Sequence, residues 1–212
     1  MKKLFLYPLN FKDKTSFLLS QIEKLNFTPN FVYFTSNFCK IQDFKYHYYE
    51  QFKNTILPST YTLKSFALNI LEENSPKKII SDIEKYLLIL EIVKKKKKKI
   101  TYTDEGISKV IHNFFKELKI SSLKGEKISI VKKAISDFPW KYEENRKNIE
   151  FAVEVFEEYE NLLLRKNMID LEDIYEEGVE YLLNKNLENI IIENIIEIPP
   201  YQKEFIKTLI NS

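Results

Sequence analysis

The chain reads as an α/β protein in which a parallel sheet is interrupted by a large all-helical insertion and then resumed. Three observations predict this. A strand, helix and strand open the chain, several segments of helical spacing follow without a strand signal, and the apolar run Ile190, Ile191, Ile192 restores a strand pattern near the end. A strand–helix–strand crossover implies parallel pairing. The division that follows is an α/β subdomain at 1–78 plus 171–212, and a helical insertion at 79–170.

Residues 3–7 fit a first strand, 8–14 a loop and 15–25 an amphipathic helix, and a second strand follows at 31–35. After Pro58, residues 62–71 place Leu63, Phe66, Ala67, Ile70 and Leu71 on one helical face. Beyond that point the strand signal stops. Helical spacing runs over 81–93, 104–118, 127–135 and 143–164, the last through Ile149, Val153, Phe156, Tyr159 and Leu163. Asp170 is the expected N-cap, with Asp173 at the third helical position, of a helix from Leu171 to about residue 183. The β-branched run 190–192 lacks alternation, which fits a strand buried on both faces, and a final helix starts near Tyr201. Trp140 beside Pro139 reads as a packing anchor at a subdomain junction, and Phe114, Phe115, Phe151 and Phe156 read as core.

Composition bounds the functional classes. With 212 residues, 44% hydrophobic and 30% charged, the chain can bury one sizeable core or two small ones. No apolar run approaches the roughly 18 residues of a membrane span, and the N-terminus lacks a signal-peptide pattern, so a cytoplasmic protein without a membrane partner is expected. Cys39 is alone and reads as a small buried hydrophobe. His47 and His112 lie far apart, so no metal-ligand cluster is predicted.

The net charge of +2 conceals an asymmetry: residues 1–136 carry 25 Lys against 13 Asp and Glu, whereas 137–212 carry 8 Lys and Arg against 18 acids. That pattern suits a face that meets phosphates, or mutual attraction of two parts of the chain. Lys94, Lys95, Lys96, Lys97, Lys98 and Lys99 form the extreme case, read either as a solvated helix end or as a phosphate-contacting patch.

The loop between the first strand and helix has the context of a phosphate-cradling G-x-x-x-x-G-K-[ST] loop, in which glycines let backbone N–H groups reach phosphate oxygens. Here the register reads Pro8-Leu9-Asn10-Phe11-Lys12-Asp13-Lys14-Thr15. Pro8 removes a donor and Asp13 brings a negative charge, leaving only Lys14 and Thr15 in agreement. The same pair also reads as an ordinary helix start capped by Asp13 or Thr15. The chain's three glycines, Gly106, Gly125 and Gly178, make no other such loop.

Four further segments stand in a known order. They are Val32-Tyr33-Phe34-Thr35-Ser36-Asn37, the stretch 62–71 against T-F-H-S-L-x-x-x-I-L, Asp170-Leu171-Glu172-Asp173-Ile174 against D-x-x-D-L, and the acid-ended strand 190–193. With the degenerate loop they resemble the N-terminal helicase-like region of superfamily 1 (UvrD/RecB-like) proteins. The nearest resemblance is to the B subunit of AddAB-type helicase-nucleases and related PD-(D/E)XK nuclease proteins. The resemblance implies a degenerate P-loop-NTPase-like sheet. Active relatives end the last strand in Asp-Glu, whereas this chain has Glu193-Asn194. Glu193 can still hold a metal, but an amide at 194 cannot orient and deprotonate the attacking water.

The resemblance therefore implies a non-hydrolysing DNA-binding scaffold of a DNA-repair helicase-nuclease that processes double-strand breaks. No catalytic residue and no metal ligand is assigned in the chain, and neither ATP nor Mg²⁺ is an expected cofactor. Lys14, Thr15 and Glu193 are a vestigial nucleotide site. The expected partners are single-stranded DNA or a duplex end, and a helicase-nuclease subunit. Carry-over marks Thr35, Ser36, Thr62, Lys64 and Ser65 as DNA-binding candidates beside the lysine run; capping chemistry is their other reading. The chain is expected to be the N-terminal part of a longer protein whose nuclease domain, an exonuclease in the parent, follows it. Two alternatives stay open: a nucleotide-binding regulatory or weak ATPase module, and a protein-interaction module using the acidic helices of 137–180.

Overall fold

The computed structural model describes residues 13–26, 30–53, 56–96, 103–121, 127–185, 187, 189–193 and 198–211. These form an α/β architecture dominated by helix, in two compact units: Met1–Phe66 with Lys185–Glu197, and Ala67–Asn184 with Ile198–Ser212. The expected strand at 3–7, loop residues 8–12, Lys97, Lys98, Lys99 and Asn194 lie outside the described residues.

The first unit is organised by one strand. β1 (Val32–Thr35) pairs in parallel with β2 (Ser59–Thr62) on one side and β5 (Ile190–Glu193) on the other, and the register sets Thr35 against both Thr62 and Glu193. Its residues Tyr33, Phe34 and Thr35 are all buried, so the strand covered on both faces is β1. The sequence predicts that place for β5. There Ile192 is 36% exposed, because within the described sheet β5 has a neighbour on one side only.

α1 (Lys14–Lys24) and α2 (Phe38–Phe52) cover the face of Phe31 and Tyr33, burying Leu19, Ile22, Phe44 and Tyr48 with them. Tyr33 stacks on Phe44 with ring centroids 3.9 Å apart. The opposite face offers Phe34, which meets Phe66 edge-on at 4.9 Å in the first turns of α3 (Leu63–Asn74). Asp13 caps α1 through Ser16 N–H, and Asn37 caps α2 through Lys40 N–H. Cys39, expected in the core, is exposed: α2 turns Ile41, Phe44 and Tyr48 inward, a stripe that excludes position 39.

The second unit is mainly helical. α4 (Asp82–Lys96), α5 (Asp104–Ile120) and α7 (Glu143–Arg165) share a core of Ile89, Ile92, Val93, Ile111, Phe115, Val155, Phe156 and Tyr159, and α6 (Lys127–Asp137) leans on α7. α4 opens with a capping box: Ser81 N–H donates to the Glu84 carboxylate at 2.8 Å, and Glu84 N–H donates to Ser81 Oγ at 3.2 Å. Trp140 closes the end of α6, its indole N–H donating to Ile135 O at 2.7 Å, with Phe138 against its ring.

Strands do not stop after residue 71, contrary to the expectation for the insertion. β3 (Lys78–Ile79) and β4 (Met168–Ile169) form a second, two-stranded parallel sheet inside the helical unit, with Lys78 opposite Met168. Asn167, in the left-handed conformation at φ 52°, turns the chain from α7 into β4 and holds Pro76 O through its side chain. α8 (Ile174–Leu182) and α9 (Lys203–Asn211) pair closely after a 3₁₀ turn at Pro200–Gln202. Gly178 permits this contact, since a Cβ there would lie 2.9 Å from the Phe205 ring.

Candidate functional site

The carboxyl ends of parallel strands are where open α/β sheets bind ligands, at the point where neighbouring strands lead away in opposite directions. β1 is the central strand of the described sheet. Its exit, Thr35, lies in one row with Thr62 and Glu193. Tyr33 reaches along the same face, and its hydroxyl donates to Glu193 Oε2 at 2.5 Å. Glu193 is 8% exposed, so its carboxylate is held inside the sheet edge by a phenol.

The DNA-binding candidates divide by exposure. Thr35 is wholly buried, whereas Ser36, the next residue, is exposed. Thr62 and Ser65 bind one another: Ser65 N–H donates to Thr62 Oγ1 at 3.1 Å and Thr62 N–H donates to Ser65 Oγ at 2.9 Å. That reciprocal pair caps α3 and aligns its first turn, from which Lys64 projects exposed.

Lys14 and Thr15 are half-buried in the first turn of α1, behind the Asp13 cap. Hydrogen bonds from Ser16, side chain and backbone, hold the Asp13 carboxyl below its ordinary range, so a negative charge sits at this helix start. Lys94, Lys95 and Lys96 end α4 in the other unit, with Lys95 bound to Glu91 at 2.6 Å.

Sequence reasoning missed a second constellation. Asp170 does not cap a helix at Leu171: α8 begins at Ile174, Asp173 takes the cap position without a side-chain cap bond, and residues 170–173 form a turn whose acids point inward. The cause is two buried lysines. Lys119 Nζ lies 2.7 Å from Glu160, 2.8 Å from Asp170 and 2.5 Å from Asp173. Lys85 Nζ lies 2.8 Å from Glu172 and 3.3 Å from Asp170, and the Tyr159 hydroxyl donates to Asp170 at 2.9 Å. Buried ammonium groups require such partners. The signal in the sequence was a lysine in core register: Lys119 follows Ile111 and Phe115 at steps of four, and Lys85 precedes Ile89 and Ile92 on one face.

Burial pushes the Asp170 carboxyl up, but the ammonium groups of Lys119 and Lys85 outweigh it and hold it well below the ordinary carboxylate range. Burial likewise raises Asp173; Lys119 opposes the rise, and the charges of Asp170 and Glu160 bring the balance to about 7. For Lys119, burial favours the neutral amine, yet Asp173, Asp170 and Glu160 together hold it well above its ordinary value. Burial and Asp170 raise the Tyr159 hydroxyl. A lysine so firmly protonated is no nucleophile. The carboxylates of Glu160, Asp170 and Asp173 converge within 4.8 Å, a spacing that suits a cation, and the Lys119 ammonium already holds all three. The cluster is an internal counter-ion that fastens the turn at 170–173 to α4, α5 and α7.

No helix among the described residues is long and apolar enough to cross a membrane. In comparison with known proteins, the chain matches no family model and no curated sequence.

Proposed function

We propose that the chain is a non-hydrolysing, helicase-like DNA-binding module of a DNA-repair helicase-nuclease, acting in the processing of double-strand ends. The observation that carries this reading is the pairing of β1 with β5. The second strand and the acid-ended strand, apart by more than half the chain, lie side by side and parallel, with Thr35 and Glu193 in register. A helicase-like sheet needs that adjacency. The exposed Ser36 and Lys64, at the exits of β1 and β2, are the groups that meet a strand of DNA. The P-loop-like part of the reading rests on the resemblance of residues 8–15.

Loss of hydrolysis is supported by chemistry. Asn194 offers no base, and Glu193 is engaged by Tyr33. Equilibrium binding of labelled ATP with Mg²⁺ separates this reading from a nucleotide-binding module. The module proposed here binds single-stranded DNA and gives no saturable ATP binding. Micromolar ATP binding that Lys14→Ala abolishes would assign the nucleotide-binding role instead.

A further inference from the structure

Within the second unit, α6, α7, β4 and α8 enclose a groove of about 430 Å³. Its apolar lining is Ile128, Leu164 and Met168, backed by the buried Phe156 and Leu163, with Asn167 beside them. Leu164 is 77% exposed at the groove, the most exposed of the large apolar side chains among the described residues. The rim carries five carboxylates: Glu160, Asp173, Glu176, Glu177 and Glu180. Among the described residues Lys77 is the one cation on the lining, and it is bound to Glu177 at 2.7 Å. Glu160 and Asp173 are held by Lys119 from behind. Glu176 and Glu180 are exposed, and among the described residues no lysine or arginine pairs with either.

An apolar lining inside a polar rim has the anatomy of a protein-binding surface. Its chemistry selects the occupant. Phosphates are repelled by the rim. An inorganic cation finds no ligand on the apolar lining, and two of the rim acids already serve Lys119. What fits is a segment that brings leucine-like side chains and positive charges together, as an amphipathic helix does when its apolar face lies in a groove. We propose that this groove docks a basic amphipathic segment of a partner protein. Its apolar side chains rest on Leu164 and Met168, and its lysines or arginines face Glu176 and Glu180. The proposal uses none of the residues assigned to DNA.

The test uses the 212-residue chain and a labelled helical peptide with leucines at i, i+3, i+4 and i+7 and lysines between them, alongside a counterpart with glutamates in place of lysines. The lysine peptide binds and the glutamate peptide does not. Glu176→Gln with Glu180→Gln weakens binding roughly fivefold or more. Leu164→Glu decides between a groove and a merely acidic surface, because it adds negative charge while removing apolar lining: the groove predicts weaker binding. All three side chains are exposed, and circular dichroism verifies that the variants fold. Absence of binding by the wild type, an affinity unchanged in the double variant, or stronger binding by Leu164→Glu would overturn the proposal. None of these outcomes alters DNA binding, so the two readings fail separately.

Discussion

Tyr33 donates its hydroxyl to Glu193 across 2.5 Å, joining the central strand of the first sheet to the acid that ends its neighbour. On the helicase-like reading proposed above, Glu193 stands where an active hydrolase holds a metal, and here one of its oxygens faces a phenol. Tyr33→Phe keeps the ring stacked on Phe44 but removes a donor from a buried carboxylate. A loss of about 2 kcal/mol is expected in urea unfolding, the range for hydrogen bonds to charged groups. Unchanged stability would mean that Glu193 does not depend on Tyr33.

Lys119 is expected to be the resident cation of the acidic cluster. Lys119→Met leaves Glu160, Asp170 and Asp173 facing each other, and breaking a buried pair in this way costs about 3–5 kcal/mol. Thermal melts with Mn²⁺ or Ca²⁺ check the occupancy: the wild-type midpoint does not move, because the ammonium fills the place of a metal, whereas the variant is stabilised. A metal-induced rise in the wild type would show that the lysine yields its position.

Asp173 gives the cluster a pH signature. Its carboxyl is raised from the ordinary 3.8 to about 7 in the folded chain, so between those values the folded state keeps a proton that the unfolded state has lost. Stability therefore declines as pH rises through this window. Asp170 has the opposite sign: held below its ordinary value, it contributes stability that is lost as the solution is acidified below about pH 4. Denaturant unfolding from pH 4 to 7 should slope downward for the wild type and flatten in Asp173→Asn. An equal slope in both would assign the effect elsewhere.

Thr62 and Lys64 separate capping from recognition. Thr62→Ala removes the reciprocal cap of α3 and is expected to cost about 1 kcal/mol. Lys64→Glu touches no cap, so stability holds while DNA affinity drops. If Lys64→Glu leaves DNA affinity intact, the exit of β2 is not in the interface.

What the sequence made legible followed from pattern length. The helices α4, α5, α6 and α7 are long or strongly periodic, β1 is a continuous apolar and aromatic run, and their bounds agree with the expected segments to within a few residues. α2 escaped because six aromatic residues, Phe38, Phe44, Tyr46, Tyr48, Tyr49 and Phe52, blur its period; only Ile41, Phe44 and Tyr48 form the buried stripe. β2 reads Ser-Thr-Tyr-Thr, which carries no apolar run, and two-residue strands such as β3 and β4 are too short to show a period. Asp170 and Asp173 resemble a helix start locally. Lys85 and Lys119, distant in sequence, override that preference by drawing the acids inward. Sequence placed Thr35, Thr62 and Glu193 in three separate segments, and pairing set them in one row.

On the function proposed above, this chain meets DNA through phosphate contacts at the first unit's strand exits, without using ATP. Fluorescence anisotropy with labelled single-stranded DNA, in the absence of nucleotide and over a range of salt, tests it most directly. Binding at low salt, with log K falling linearly as log salt rises and a shallower slope in Lys64→Glu, is the predicted result. No binding at low salt, or an affinity indifferent to salt, would mean that the strand exits do not meet DNA phosphates.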